Sequence, residues 1–131
     1  MKILLDTHAL VWSFLAPNRL SALAAQLLEN EDTEIYVSPI TAWECIVLYE
    51  KGRLVLEPDP EEWIRRRLRE LRPREAAITT EVALRSRALD FGTADPADRF
   101  LAATASVFDL VLLTADSRLL SGEGYASLSA V

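Results

Sequence analysis

Four acidic residues stand at positions where a packed chain has little use for charge. Glu44 shares a helix face with Ile40, Val47 and Leu48, all within about 60° of it at 100° per residue. A carboxylate in an apolar stripe is costly unless it is paired or neutralised, and Lys51, two turns on, is the candidate ion-pair partner. Asp6 ends the apolar run Ile3-Leu4-Leu5, and Asp116 follows Val111-Leu112-Leu113-Thr114 after one alanine. Either acid alone reads equally well as a cap for the next helix. Two such runs in one parallel sheet, however, place both acids at the same edge. Asp98 falls in the first turn of a helix opened by Asp95-Pro96, where a carboxylate also complements the helix dipole. Its neighbours Leu101, Ala102 and Ala105 form a small-residue face suited to close packing, which would hold Asp98 near that edge. Asp95 reads more simply as the helix cap and is the weaker site candidate.

Acids that converge must be compensated. Two like charges about 4 Å apart cost on the order of 4 kcal/mol at an effective dielectric of 20. No basic cluster accompanies these four in the sequence, so a divalent cation is the expected agent. A set of oxygen ligands favours Mg²⁺ or Mn²⁺ over Zn²⁺. Such an ion lowers the pKa of water and stabilises charge on a phosphate, so the chemistry indicated is phosphoryl transfer.

The elements that must position these acids follow from patterning. Residues 2–6 and 110–114 are short apolar runs suited to inner parallel strands, and 35–37 is a third strand candidate. Helices are expected over 8–15 and 21–29. Ser38-Pro39 opens another that runs to about Lys51, where Gly52 ends it. Further helices cover 60–71 (stopped by Pro73), 80–89 and 96 to about 108, with one helical turn over 117–120. Residues 54–56 are ambiguous, and the tail is expected to add a short strand. Strands alternating with helices imply an α/β fold, a mostly parallel sheet of four to five strands covered on both faces. Ligand sites in such sheets lie at the carboxyl ends of strands.

Composition narrows the chemistry. The chain has 131 residues, half of them hydrophobic, which suits one folded domain over 1–131 rather than disorder. A single Cys excludes a disulfide framework and Cys-rich zinc sites, and fits a reducing cytoplasm. A single His excludes a two-histidine acid–base site. The net charge of −6 argues against non-specific coating of nucleic acid, but not against a nuclease whose acids hold metal. No segment reaches the roughly 18 apolar residues of a membrane span, and Asp6 and His8 break the apolar start before it resembles a signal peptide. A cytoplasmic protein is expected.

Four segments carry a resemblance: Leu4-Leu-Asp6-Thr7-His8-Ala-Leu10, Ser38-Pro-Ile-Thr41-Ala-Trp43-Glu44, Asp95-Pro-Ala-Asp98-Arg99-Phe-Leu101 and Leu112-Leu-Thr114-Ala-Asp116. Their order and spacing resemble the PIN-domain family, and within it the VapC-type toxins of toxin–antitoxin modules. The resemblance covers essentially the whole chain. It implies a three-layer α/β/α sandwich and endoribonuclease activity with Mg²⁺ or Mn²⁺. Asp6, Glu44, Asp98 and Asp116 match the family's acidic quartet, and Thr114 its neighbouring hydroxyl. The resemblance also implies a homodimer and a cognate antitoxin that inserts a peptide near the pocket. Ala97 departs from the bulkier apolar residue common in the family.

The remaining polar and aromatic residues are read more plainly. His8 could touch substrate phosphate, although a structural role is the simpler reading. Cys45 reads as a small buried hydrophobe. Trp12 and Trp43 read as core or subunit contacts. Residues 61–75 hold six Arg, for which pairs Glu61–Arg65, Glu62–Arg66 and Arg66–Glu70 are expected. Arg65, Arg69 and Arg72 fall within about 60° of one another, a basic stripe suited to RNA backbone or to an acidic antitoxin segment. Two rival functions remain. One is a non-catalytic PIN-like binding module. The other is a haloacid-dehalogenase-like phosphatase with Asp6 as nucleophile, although that pattern wants a second Asp where this chain has His8.

Overall fold

The computed structural model describes residues 1–131 apart from Phe91 and Thr93. Five strands form one sheet in the order β3-β2-β1-β4-β5, every pairing parallel. In chain order these are β1 (Lys2–Leu5), β2 (Glu34–Val37), β3 (Arg74–Glu75), β4 (Val111–Thr114) and β5 (Ala126–Ser129). The helices are α1 (Thr7–Leu15), α2 (Ala22–Glu29), α3 (Pro39–Glu50), α4 (Pro60–Leu71), α5 (Thr80–Ala88), α6 (Pro96–Phe108) and α7 (Ser117–Leu120), with a 3₁₀ turn over Pro17–Arg19.

The expected elements form within a residue or two of their predicted bounds, for local reasons. Ser21, Ser38, Asp59, Thr79 and Asp95 each cap a helix by accepting a backbone N–H. Gly52, at φ 71°, takes the left-handed turn that closes α3. One strand was unforeseen. The fifth strand is not 54–56, which is irregular, but β3, two exposed charged residues on the sheet edge. A strand that short shows no period-two alternation.

Alternation within the longer strands builds the layers. Ile3, Leu5, Val37 and Leu113 face α1 and α2, meeting Ala9, Leu10 and Ala24. Leu4 and Leu112 face the other way, under Leu101, Ala102 and Ala105 of α6 and Leu119 of α7. The small α6 face therefore does pack closely on the sheet, with Ala97 itself buried. A third cluster of Val11, Cys45, Leu56, Trp63 and Ile64 seats α3 between α1 and α4. The chain leaves β1 for β2 and β3 on one side, then returns to β4 and β5 on the other. The order reverses between β1 and β4, which is where a parallel sheet opens a crevice at its carboxyl edge.

Candidate metal centre at the sheet edge

The crevice is a cleft of about 370 Å³, and Asp6, Glu44, Asp98 and Asp116 all line it, with Asp95 beside them. Each acid arrives from a different element. Asp6 stands one residue past β1, and its own N–H still donates to Leu113 O of β4 at 3.1 Å. Its side chain caps α1, accepting from Ala9 N–H at 2.7 Å, and its second oxygen accepts from Thr114 Oγ1 at 2.5 Å. Thr114 is fully buried and also accepts the Asp116 N–H at 3.0 Å. It touches both strand-end acids and fixes their spacing, so it positions them rather than lining the cleft.

Glu44 comes from the middle of α3, beside the fully buried Cys45. Its partner is Thr7, whose hydroxyl donates to Oε1. Among the described residues no ion pair joins it to Lys51, so the bland expectation for Glu44 gives way to a tether from α1. Asp98 projects from the first turn of α6, whose cap Asp95 accepts from Ala97 and Asp98 N–H at 2.9 and 3.3 Å. Arg99, the next residue, ties α6 to the end of α5 by donating to Ser86 O and Leu89 O, each at 2.8 Å.

The electrostatics match a centre short of positive charge. Burial pushes the Asp98 carboxyl up to about 7, with Asp95, Asp116 and Glu44 adding repulsion. Burial also raises Asp6 and Glu44, against the hydrogen bonds from Thr114 and Thr7. Asp116 alone is held below the usual carboxylate range, chiefly by Arg118. Among the described residues, that single arginine, rather than a basic cluster, is what pairs with these acids. It grips Asp116 with two bonds, Nη2 to Oδ2 at 2.9 Å and Nε to Oδ1 at 3.2 Å, and lies 3.8 Å from Asp98 Oδ2.

The chemistry of the donors fits a hard divalent ion: four carboxylates from four elements, three with raised proton affinity. Among the described residues, no three His, Cys, Asp or Glu side chains stand close enough together to hold a metal ion.

Other predicted residues fall elsewhere or take other parts. Arg65, Arg69 and Arg72 do not line the cleft. Arg65 pairs with Glu61 at 3.6 Å and Arg69 with Glu62 at 3.7 Å, both largely exposed. Glu62 pairs with Arg66 as expected, but Glu70 takes Arg67 rather than Arg66. Arg72 turns off the end of α4 with φ 52°, so it leaves the helical stripe. Cys45 is fully buried, and burial pushes its thiol up to about 12, which makes it inert. Trp12 joins none of the three apolar clusters. It lines the cleft, tilted against His8 at 5.5 Å with the Arg19 guanidinium 4.2 Å over its ring. Trp43 is exposed. Thr7 and Arg118 are the site residues that sequence reasoning passed over. The signals available were a hydroxyl next to a strand-end acid and an arginine two residues past a capping one.

Comparison with known proteins agrees with this architecture. The chain is 36% identical over 120 residues to Ribonuclease VapC22 of Mycobacterium tuberculosis, covering 91% of this chain and 90% of that protein. It shares its fold with VapBC2 of Rickettsia felis, solved bound to a promoter DNA fragment (TM-score 0.69, 14% identity, 98% of both chains). It also shares it with a toxin–antitoxin complex from Klebsiella pneumoniae (TM-score 0.64, 23% identity, 98% of both chains). Among the described residues no helix is long and apolar enough to cross a membrane. The PIN domain model matches residues 3–122, the span that carries all four acids, and the chain belongs to the PIN-domain family.

Proposed function

We propose that this chain is a Mg²⁺- or Mn²⁺-dependent endoribonuclease, the toxin of a toxin–antitoxin pair acting in the cytoplasm. One observation carries the chemistry: four carboxylates, just past β1, on α3, on α6 and just past β4, line one cleft, three of them with proton affinity raised chiefly by burial. The name of the 36%-identical relative, a ribonuclease, supports RNA as the substrate. Asp6, Glu44, Asp98 and Asp116 would hold the ion. When bound, it supplies Lewis acidity that activates water and offsets charge on the phosphate. Thr114 and Thr7 keep Asp6 and Glu44 in place for it. The rival reading of Asp6 as a phosphatase nucleophile has less support, because the residue is 6% exposed with both oxygens hydrogen-bonded.

The structural relatives solved as VapBC and toxin–antitoxin complexes support a cognate antitoxin as partner. The family's habit supports a homodimer, which light scattering would read as twice 14.6 kDa.

The test is cleavage of a mixed RNA pool by the purified protein. EDTA should stop cleavage and excess Mn²⁺ restore it, with Asp98→Asn slower by a factor on the order of a hundred or more throughout. Cleavage that persists in EDTA, or that runs at the wild-type rate in Asp98→Asn, would overturn the assignment. A protein that binds RNA but never cuts it would point to the non-catalytic module instead.

A further inference from the structure

Arg118 stands across the Asp98–Asp116 half of the acidic centre, where Asp116 also caps α7 by accepting the Arg118 backbone N–H at 2.8 Å. Asp6 and Glu44 are fixed by the hydroxyls of Thr114 and Thr7. Asp116 and Asp98 are instead drawn together by the Arg118 guanidinium, at 2.9 and 3.8 Å. These bonds are easily exchanged. The Arg118 side chain is 57% exposed and sits on the four-residue α7, so leaving the carboxylates disturbs no apolar packing. Exposed ion pairs of this kind yield readily to a stronger competitor, and a divalent ion is one. The same planar fork that grips a carboxylate with two bonds grips a phosphodiester equally well.

We infer that Arg118 is an exchangeable counter-ion: it holds Asp116 and Asp98 while no divalent ion is bound, yields them to the ion, and then binds the phosphate of the substrate. This rests on the nuclease reading above and adds a residue and an order of events to it. It makes two demands of opposite sign on one side chain. Removing the guanidinium frees the carboxylates, so the ion binds more tightly. It also removes a partner of the phosphate, so RNA binds more weakly. A residue with only a structural role would move neither constant, or both in the same direction.

The test uses the full chain, with Mn²⁺ alone as the first probe. Calorimetric titration of Arg118→Gln, which keeps a polar stem without the charge, should give Mn²⁺ affinity roughly five- to tenfold tighter than wild type at low salt. At saturating Mn²⁺, its KM for a short RNA should rise roughly tenfold, with kcat changed far less. Arg118→Met, with folding checked by circular dichroism, should repeat the pattern. Arg53 lines the same cleft and, among the described residues, forms no ion pair with these acids, so it controls for the general field. If Arg53→Gln tightens Mn²⁺ as much as Arg118→Gln does, the specific exchange is overturned. An unchanged Mn²⁺ affinity or an unchanged KM in Arg118→Gln overturns it as well. Asp98→Asn and Asp116→Asn separate this failure from a wider one. If they leave wild-type Mn²⁺ affinity intact, the metal-centre reading itself fails. If they abolish it while Arg118→Gln does nothing, only the counter-ion is wrong.

Discussion

Asp98 and Asp6 carry the same carboxyl group with different structural duties, which separates their variants. Asp6 caps α1 and receives Thr114, so truncating it removes a cap as well as a ligand. Asp6→Ala should cost about 1 kcal/mol in stability in addition to activity. Asp98 caps no helix, and its ion pair is the 3.8 Å contact with Arg118. Burial and three neighbouring acids oppose its charge, and only Arg118 favours it. Asp98→Asn should therefore lose RNA cleavage by a factor on the order of a hundred or more, as expected when one group that stabilises transition-state charge is removed. In EDTA at pH 8 it should also melt a few degrees above wild type, about 3 °C for each kcal/mol of relieved repulsion. A melting point below that of wild type would mean that Asp98 serves the fold. The four acids were legible in the sequence because each is out of place in its own pattern: Glu44 in a stripe, Asp6 and Asp116 at strand ends, Asp98 on a small-residue face. Their partners were not. Nothing along the chain says that Thr7 reaches Glu44, 37 positions away. Nor does it say that Arg118 turns back over the residue that caps its own helix.

Helices and strands with caps and long apolar faces were equally legible, because each boundary is set by a local hydrogen bond. The edge strand β3 was not, since two charged residues pair there only because β2 presents an open edge. Within α4 the charge pairs were legible in kind but not in every partner. Glu70 chose Arg67 at three residues over Arg66 at four, while Arg66 was already held by Glu62 at 2.8 Å. The basic stripe of that helix carries its own prediction. Arg65 and Arg69 sit in exposed pairs worth under about 1 kcal/mol each, so RNA backbone could displace their partners at little cost. Reversing Arg65 and Arg69 to Glu, together with Arg72 just beyond the stripe, should weaken RNA binding and flatten its salt dependence. The slope should fall by roughly 0.7 for each single-stranded phosphate that the protein no longer neutralises. The cleft lies elsewhere, so kcat should hold. If RNA affinity and its salt slope stay the same while antitoxin affinity drops, the stripe belongs to the protein partner.

The net charge of −6 conceals how unevenly the acids respond to pH. An unfolded chain would release the Asp98 proton near 3.8, whereas the folded protein keeps it to about 7. Between those values the native state binds more protons than the unfolded state, so stability falls as pH rises. The contribution is complete below about pH 4 and gone above about pH 7. Raised Asp6 and Glu44 act in the same direction. Asp116, held low by Arg118, acts in the opposite one and loses its contribution only as pH drops below the usual carboxylate range. The groups that interact with Asp98 come from several elements: Asp95 at the head of α6, Glu44 from α3, Asp116 capping α7 and Arg118 within it, and Tyr125 before β5. In EDTA the melting temperature should therefore decline from pH 5 to pH 7.5 by several degrees. A divalent ion binds the ionised carboxylates and takes two units off the net charge, so its stabilisation should be larger at pH 7.5 than at pH 5. Saturating Mg²⁺ should flatten the decline, and Asp98→Asn should lack most of it even in EDTA. A melting temperature that rises from pH 5 to 7.5 in EDTA would show that the acids are compensated within the fold. The four carboxylates would then need no ion to coexist.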